Sequence, residues 1–238
     1  GVSSVWIPPL ASVQTLADRV SRHGTTLYHG EKPMWVSAPL TVHRRCDDPM
    51  FKLCNEIAYG GMMVSGVQRR LDDPDHPDLF DGLREQKISP SRWIDVPART
   101  PGTHLQDNQI EELRKQIEQL QARGVAMSQI IAISPFRVVA NALGTLEGTC
   151  PGLRGGTIHT AQGREADVVF LVLGGDPAAP GAKAWASSTV NLVNVAASRA
   201  KRRLYVIGDR TAWAQYPYFA DLASALAPEP QQAVDMVG

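Results

Sequence analysis

An apolar run within Asp167–Leu173 constrains the fold of this 238-residue chain more than any other feature of its sequence. A strand whose consecutive side chains are nearly all apolar is typical of a parallel sheet that is covered on both faces, because both sets of side chains must then be buried. Two similar short segments, Gln129–Ser134 and Arg203–Gly208, lie on either side of it in the chain. The sequence therefore predicts a parallel sheet with a layer on each face.

Helical patterns alternate with these strands. In Asp107–Arg123 the apolar residues recur at intervals of three and four, which gives one apolar stripe, and Gly124 follows as a stop signal. Other helices are predicted over Pro49–Tyr59, from Pro135 to Leu146, Thr189–Lys201 and Trp213–Leu226, and other strands over Trp35–Leu40, Arg92–Val96 and Gly156–His159. This alternation predicts a three-layer α/β domain with a mostly parallel sheet flanked by helices.

Composition excludes several classes of protein. The chain has 24 Lys+Arg and 24 Asp+Glu, which argues against a protein that holds nucleic acid by bulk charge alone. A hydrophobic content of 43% excludes wholesale disorder, and the apolar stretches are too short to span a bilayer. Three scattered cysteines are too few for a disulfide framework or a zinc site, so we expect no metal site in this chain and a cytoplasmic location.

The chain divides into three predicted parts. Residues 1–35 are interpreted as a lead-in segment, residues 36–227 as the α/β domain and residues 228–238 as a frayed tail. An acidic stretch at residues 72–81 fails the template of a calcium-binding loop, because Pro77 and Asp78 occupy positions where that loop needs other residues. We interpret it as a solvated loop.

Four polar segments fall at predicted strand ends or helix ends. They are His43-Arg44-Arg45, Ser134-Pro135-Phe136, the loop from Thr157 to Asp167, and the helix segment from Asn194 to Arg202. Taken singly, each has an ordinary interpretation: charges balanced by Asp47 and Asp48, a turn that faces water, or a basic helix C-terminus favoured by the helix dipole.

Taken together and in this order, the four segments resemble the motifs of superfamily 1 helicases, closest to the branch of the Upf-like helicases and related bacterial AAA-domain proteins. The resemblance covers roughly residues 36–210 and includes Gln162-Gly163-Arg164-Glu165 and Asn194-Val195-Ala196-Ala197-Ser198-Arg199-Ala200. The chain departs from the pattern at Asp47-Asp48-Pro49, where many members have His-Pro.

The resemblance implies a RecA-like domain, the second of a pair that binds ATP between its members. The sequence has no Gly-x-x-x-x-Gly-Lys-[Ser/Thr] segment and no Asp-Glu pair after an apolar strand. We therefore expect the phosphate-binding loop and the Mg²⁺ ligands to belong to a first RecA-like domain of the same polypeptide, and this chain alone to be inactive as an ATPase.

The resemblance also implies residue roles. Arg45 and Arg199 would be catalytic arginine fingers that reach the γ-phosphate. Nucleotide contacts would come from Gln162, Gly163, Arg164 and Glu165, with Glu165 accepting a hydrogen bond from the ribose; contacts to single-stranded DNA or RNA would come from Ser134, Thr157, His159 and Thr160. Such hydroxyl and imidazole groups bind phosphates without sequence preference.

Two other functions stay open on the sequence alone. The chain could be a degenerate RecA-like scaffold or nucleic-acid-binding module that hydrolyses nothing. A hydrolase or nuclease is disfavoured, because there is no Gly-x-Ser-x-Gly elbow and the dense acidic cluster lies in an irregular stretch.

Overall fold

The structure is a computed structural model of the chain, and it describes residues 20, 22, 24–29, 32–37, 41–68, 79–80, 88–161 and 163–226. Four predictions lie wholly or mostly outside these residues: the lead-in segment at residues 1–35, the acidic loop at residues 72–81, the frayed tail at residues 228–238, and the role of Gln162.

Nine strands are assigned within the described part of the chain. In chain order they are β1 (Gly24–His29), β2 (Lys32–Ser37), β3 (Val42–His43), β4 (Val64–Ser65), β5 (Arg92–Asp95), β6 (Ile130–Ser134), β7 (Arg154–Thr157), β8 (Ala166–Val172) and β9 (Ala200–Gly208). The helices are α1 (Met50–Tyr59), α2 (Asp107–Ala122), α3 (Arg137–Thr145), α4 (Gly181–Ala186), α5 (Asn191–Arg199), α6 (Arg210–Trp213) and α7 (Phe219–Ala225). Two short 3₁₀ turns occupy Met127–Gln129 and Leu146–Gly148.

The main sheet has five strands in the order β5-β9-β8-β6-β7, and every neighbouring pair is parallel. From β5 the chain passes through α2 to β6 and then through α3 to β7, so it moves toward the β7 side of the sheet. From β8 it passes through α5 to β9, so it moves back toward the β5 side. Because such crossovers are right-handed, α2 and α3 lie on one face and α5 on the other. The predicted α/β fold, with a parallel sheet flanked by helices, is confirmed.

The core lies on both faces of β8. All of its residues are buried except Asp167, as the continuous apolar run predicts. Helices α2 and α5 both pack on β8 and β9, and α1 packs on the outer side of α5. Within the core, the rings of Phe170 on β8 and Tyr205 on β9 lie 5.3 Å apart.

Helix α1 follows its sequence signals closely. Pro49 stands immediately before its first residue, a position where the missing N–H costs nothing, and Gly60 ends it with a left-handed φ of 58°. Helix α2 likewise matches its predicted range to within one residue.

Three predicted boundaries are wrong. Strand β7 begins and ends two residues earlier than predicted, because the backbone of Gly155 packs on α3: a Cβ there would lie 2.6 Å from the Leu143 carbonyl oxygen. Strand β9 begins at Ala200, inside the predicted helix, because Ala200 pairs with Ala166 of β8.

The prediction of one closing helix over Trp213–Leu226 is wrong in its first half. Only Trp213, the last residue of α6, and Phe219–Ala225, which form α7, are helical in this range. Pro217 cannot donate a backbone hydrogen bond, and Tyr218 takes a φ of 62°, so the helical hydrogen bonding stops between them.

The strand predicted over Trp35–Leu40 is displaced by three residues, since β2 spans Lys32–Ser37 and crosses residues 35 and 36, where a domain boundary was predicted. Its antiparallel partner β1 was not predicted. A short parallel pair joins β3 to β4. The short helix α4 was also missed, since six residues in a Gly- and Pro-rich segment carry too little periodicity to identify.

We predict that Phe170→Ala lowers the free energy of unfolding by about 3–5 kcal/mol, because it opens a cavity in a fully buried layer. Urea unfolding followed by circular dichroism measures this. Val138→Ala on α3 is the control, since Val138 is 40% exposed, and its effect should stay within about 0.5 kcal/mol. A Phe170→Ala loss below about 1 kcal/mol would contradict the buried position of β8.

Candidate functional site

The segment between β3 and α1 is fixed against the junction of α5 and β9. The Asp47 N–H donates to the Lys201 carbonyl at 2.9 Å, and the Asp47 carboxylate lies 2.9 Å from Nε of Arg202. Cys46 is fully buried, with its Sγ 3.9 Å from the Ala197 carbonyl oxygen. These contacts bring two distant parts of the sequence together at the amino-terminal end of β9.

His43 completes the turn that carries Arg45. The Cys46 N–H donates to Nε2 of His43 at 2.8 Å, so this nitrogen is an acceptor and carries no proton. Burial, together with the positive charge of Arg45, lowers the pKa of His43. The neutral imidazole therefore supports the turn without adding another positive charge.

Arg45 projects from this turn onto Glu165, which stands immediately before β8. Nε of Arg45 lies 2.6 Å from one carboxylate oxygen of Glu165, and Nζ of Lys201 lies 2.9 Å from the other. A further hydrogen bond runs from Nη1 of Arg45 to the Ser198 carbonyl at 3.3 Å. The side chains of Arg45 and Glu165 are each more than a third exposed, so solvent reaches this cluster.

Arg199 enters the same cluster from the last turn of α5. It is only 9% exposed, and its guanidinium donates to the Val195 carbonyl at 3.2 Å, to the Arg164 carbonyl at 3.2 Å and to the Ser198 hydroxyl at 3.0 Å. Its direction is therefore fixed by the backbone of two elements. The predicted meeting of Arg45 and Arg199 at one place in the fold is what the structure shows.

The charges of this cluster are closely coupled. Arg45 and Lys201 both pair with the carboxylate of Glu165, and Arg199 lies close enough to Arg45 for the two guanidinium groups to repel each other. Hydrogen bonding and attraction by Lys201 and Arg45 outweigh burial and lower the pKa of Glu165. Burial first, and then the repulsion of Arg45, lower the pKa of Arg199. An added anion would relieve that repulsion.

Two further residues of the predicted nucleotide loop are described, Gly163 and Arg164. Gly163 has a φ of 83° and open space where a Cβ would stand. Arg164 is exposed, and it contributes its carbonyl oxygen, which accepts from Arg199. Lys201 was missed as a site residue, although the motif quoted from the sequence includes it. Its position beside Glu165 follows from the pairing of β8 with β9, which the sequence does not show.

The residues predicted to bind single-stranded nucleic acid lie at the opposite end of the parallel strands. Ser134 and Thr157 are paired at the carboxyl ends of β6 and β7, whereas Glu165 precedes the amino end of β8. At about 3.3 Å per residue, the two groups are separated by roughly 20 Å along the strands. The Thr157–Asp167 loop therefore runs from the carboxyl ends of the strands to their amino ends, and it separates the residues assigned to nucleic acid from those assigned to the nucleotide.

Three of the four residues predicted to bind single-stranded nucleic acid, Thr157, His159 and Thr160, lie close together. The Thr160 N–H donates to the Thr157 hydroxyl at 3.1 Å, and the Thr160 hydroxyl donates to the Thr157 carbonyl at 2.9 Å. His159 and Thr160 are exposed.

Ser134 is different. It is fully buried, and its hydroxyl accepts from the Phe136 N–H at 3.3 Å. The Ser134 hydroxyl therefore stabilises the turn after β6 and is not exposed for contact with nucleic acid.

The crevice expected between β6 and β8, where the chain direction reverses, is filled. The His104 ring stacks on Phe136 at a centroid distance of 4.0 Å, and its Nδ1 accepts from the Asp176 N–H at 3.0 Å. The candidate sites that reach the surface are therefore the cation cluster at the amino ends of the strands and the Thr157–Thr160 turn at their carboxyl ends.

A protein-family model described as an AAA domain matches residues 15–211, which is most of the chain. The chain belongs to this AAA-domain family. No curated protein matches it. Among solved structures, it is similar to the crystal structure of the arterivirus nonstructural protein 10 (helicase), with 18% sequence identity and a TM-score of 0.36. That match covers 81% of this chain and 29% of the viral one, so the chain spans less than a third of that helicase.

The described residues of this AAA-domain protein contain no cluster of three or more His, Cys, Asp or Glu side chains placed to hold a metal ion. Nor do they contain a helix that is both long enough and apolar enough to span a membrane.

We predict that Glu165→Gln lowers the stability of this AAA-domain protein at pH 7 by about 1 kcal/mol or less per lost ion pair, since both pairs are partly solvated. The pKa of Glu165 is lowered by folding, so its contribution is present above the unfolded pKa of about 4.3 and is lost as pH falls through the folded pKa. The difference between wild type and variant should therefore shrink on acidification.

Urea unfolding at several pH values measures this difference. Glu118→Gln is the matched control, because Glu118 is an exposed carboxylate on α2. A difference for Glu165→Gln that grows toward acid pH would contradict the ion pairs.

Proposed function

We propose that this chain is the second RecA-like motor domain of an ATP-dependent superfamily 1 DNA or RNA helicase. The observation that carries the proposal is the meeting of Arg45 and Arg199, far apart in the chain, in a partly exposed cluster beside Glu165. Membership of the AAA-domain family is consistent with a nucleotide-driven motor.

A terminal phosphate of ATP is the anion that suits this cluster. The guanidinium group is planar and can donate two hydrogen bonds at once to phosphate oxygens, and it stays charged at any physiological pH. Phosphoryl transfer depends mainly on positioning and on stabilising charge as it spreads over the phosphate oxygens. Two converging arginines supply both.

The two arginines would play unequal parts. Arg199 is buried and held by backbone carbonyls, so its orientation is set before any ligand arrives. Arg45 is more exposed, and its pair with Glu165 is partly solvated, so it can exchange that carboxylate for phosphate at modest cost. Glu165, still paired with Lys201, would then be available to accept a hydrogen bond from the ribose.

The partner surface is a first RecA-like domain that carries the phosphate loop and the ligands of Mg²⁺. Arg45 and Arg199 gain a phosphate partner only when the two domains close around ATP. Hydrolysis and phosphate release remove that contact, and the domains separate. Thr157, His159 and Thr160, at the other edge of the sheet, would hold the single strand, and alternation between the two states would move it.

We predict that the isolated chain of residues 1–238 has no appreciable ATPase activity, with or without single-stranded DNA or RNA, because the phosphate loop and Mg²⁺ ligands would be supplied by another domain. A phosphate-release assay on the purified chain tests this. Turnover stimulated by nucleic acid in this chain alone would refute the division of labour proposed here.

We predict that Arg199→Ala and Arg45→Ala each lower the turnover of the full-length protein by about 10³–10⁵-fold and leave ATP binding within about tenfold, since an arginine finger acts mainly in the transition state. Arg114→Ala, on the exposed face of α2, is the control and should turn over normally. Circular dichroism must show that the Arg199 variant is folded.

Wild-type turnover in either variant would remove that arginine from the proposed role. Absence of ATPase activity in the folded, full-length wild type would instead favour the scaffold function.

A further inference from the structure

We infer that Trp185 forms a stacking site for an unpaired nucleobase, in a cleft beside the predicted strand-binding turn. The inference rests on the proposed function and deepens it, because it assigns a base contact where the sequence motifs predict only contacts to phosphate and sugar.

The cleft has a volume of about 400 Å³ and lies between α4, the start of α5 and the turn after β7. Its lining combines apolar residues with hydroxyl, amide and imidazole groups: Ile158, His159, Trp185, Ala186, Ser188, Thr189, Asn191, Leu192 and Val195. A cleft of this size with an apolar floor and a few polar groups is typical of sites for small planar ligands.

Trp185 is turned outward from its own helix. Its neighbours on α4, Lys183 and Ala186, are buried, whereas Trp185 is 58% exposed. The turn that follows is fixed, since the Ser188 hydroxyl donates to the Trp185 carbonyl at 2.7 Å. A single exposed apolar residue needs no explanation by itself, but this indole forms one wall of a cleft.

The chemistry of the cleft suits a base better than it suits an apolar peptide. The indole offers a flat aromatic face, and every nucleobase has a π-face that can stack on it regardless of sequence. The Asn191 amide and the His159 imidazole can hydrogen-bond the polar edge of the base or the adjoining phosphate. None of the described residues that line the cleft is acidic, so none of them repels a polyanion.

The position of the cleft connects the two candidate sites. His159 lies in the cleft and belongs to the same turn as Thr157 and Thr160. Val195 lines the cleft, and its carbonyl accepts from Nε of Arg199. A base bound here therefore contacts the helix that aims Arg199, as expected of a motor whose ATPase responds to nucleic acid.

The test measures binding of fluorescent 12-mers of oligo(dT) and oligo(rU), and of an abasic 12-mer of the same length, to the full-length protein by anisotropy. Trp185→Ala should weaken binding of the two base-containing strands by about 5- to 150-fold and leave binding of the abasic strand unchanged. Trp185→Phe should restore most of the affinity. Trp35→Ala is the control, because Trp35 is an exposed tryptophan of the β1–β2 hairpin and is not among the residues that line the cleft.

Two results overturn the inference in different ways. If the wild type binds the strands and Trp185→Ala binds them equally well, or loses the abasic strand to the same extent, stacking at Trp185 is wrong and the proposed motor function stands. If the folded wild type binds neither base-containing strand, the proposed function fails and the stacking site fails with it.

Discussion

The backbone hydrogen bond from Asp47 to Lys201 is the contact on which the candidate site depends. It joins the segment before α1 to the first residues of β9, and the Asp47–Arg202 ion pair and buried Cys46 reinforce it. Because the strand order places β8 beside β9, Glu165 comes to the same edge of the sheet. This attachment holds Arg45 beside Glu165 and Arg199.

The sheet separates two kinds of candidate contact. One edge carries the arginine cluster, and the other carries the hydroxyl and imidazole groups around Thr157. Helix α5 runs between them, with Asn191 in the cleft and Arg199 in the cluster. A rigid helix that contacts a nucleic-acid strand at one end and a nucleotide at the other couples binding of the two ligands, since a shift of the helix would change both contacts together.

The sequence predicted the parallel sheet, because apolar strand runs are a property of local sequence, whereas the meeting of Arg45 with Arg199 was implied by the resemblance of the ordered motifs to a known family. It did not predict that the loop after β7 places some of its polar residues at the carboxyl ends of the strands and others at the amino ends, since strand order is a property of the tertiary fold. It placed Ser134 in the strand contact, whereas the structure buries its hydroxyl within its own turn. It also missed Trp185, because one aromatic residue in a short helix carries no periodic signal, and only the surrounding cleft distinguishes it.

The central claim is that Arg45 and Arg199 face the γ-phosphate of a bound nucleotide. The most direct test compares the affinity of the full-length protein for ADP with aluminium fluoride, which mimics the phosphoryl group in transfer, against its affinity for ADP alone. The account predicts that Arg45→Ala and Arg199→Ala sharply weaken binding of the mimic and leave binding of ADP nearly unchanged. Equal losses for both ligands, or no loss for either, would contradict it.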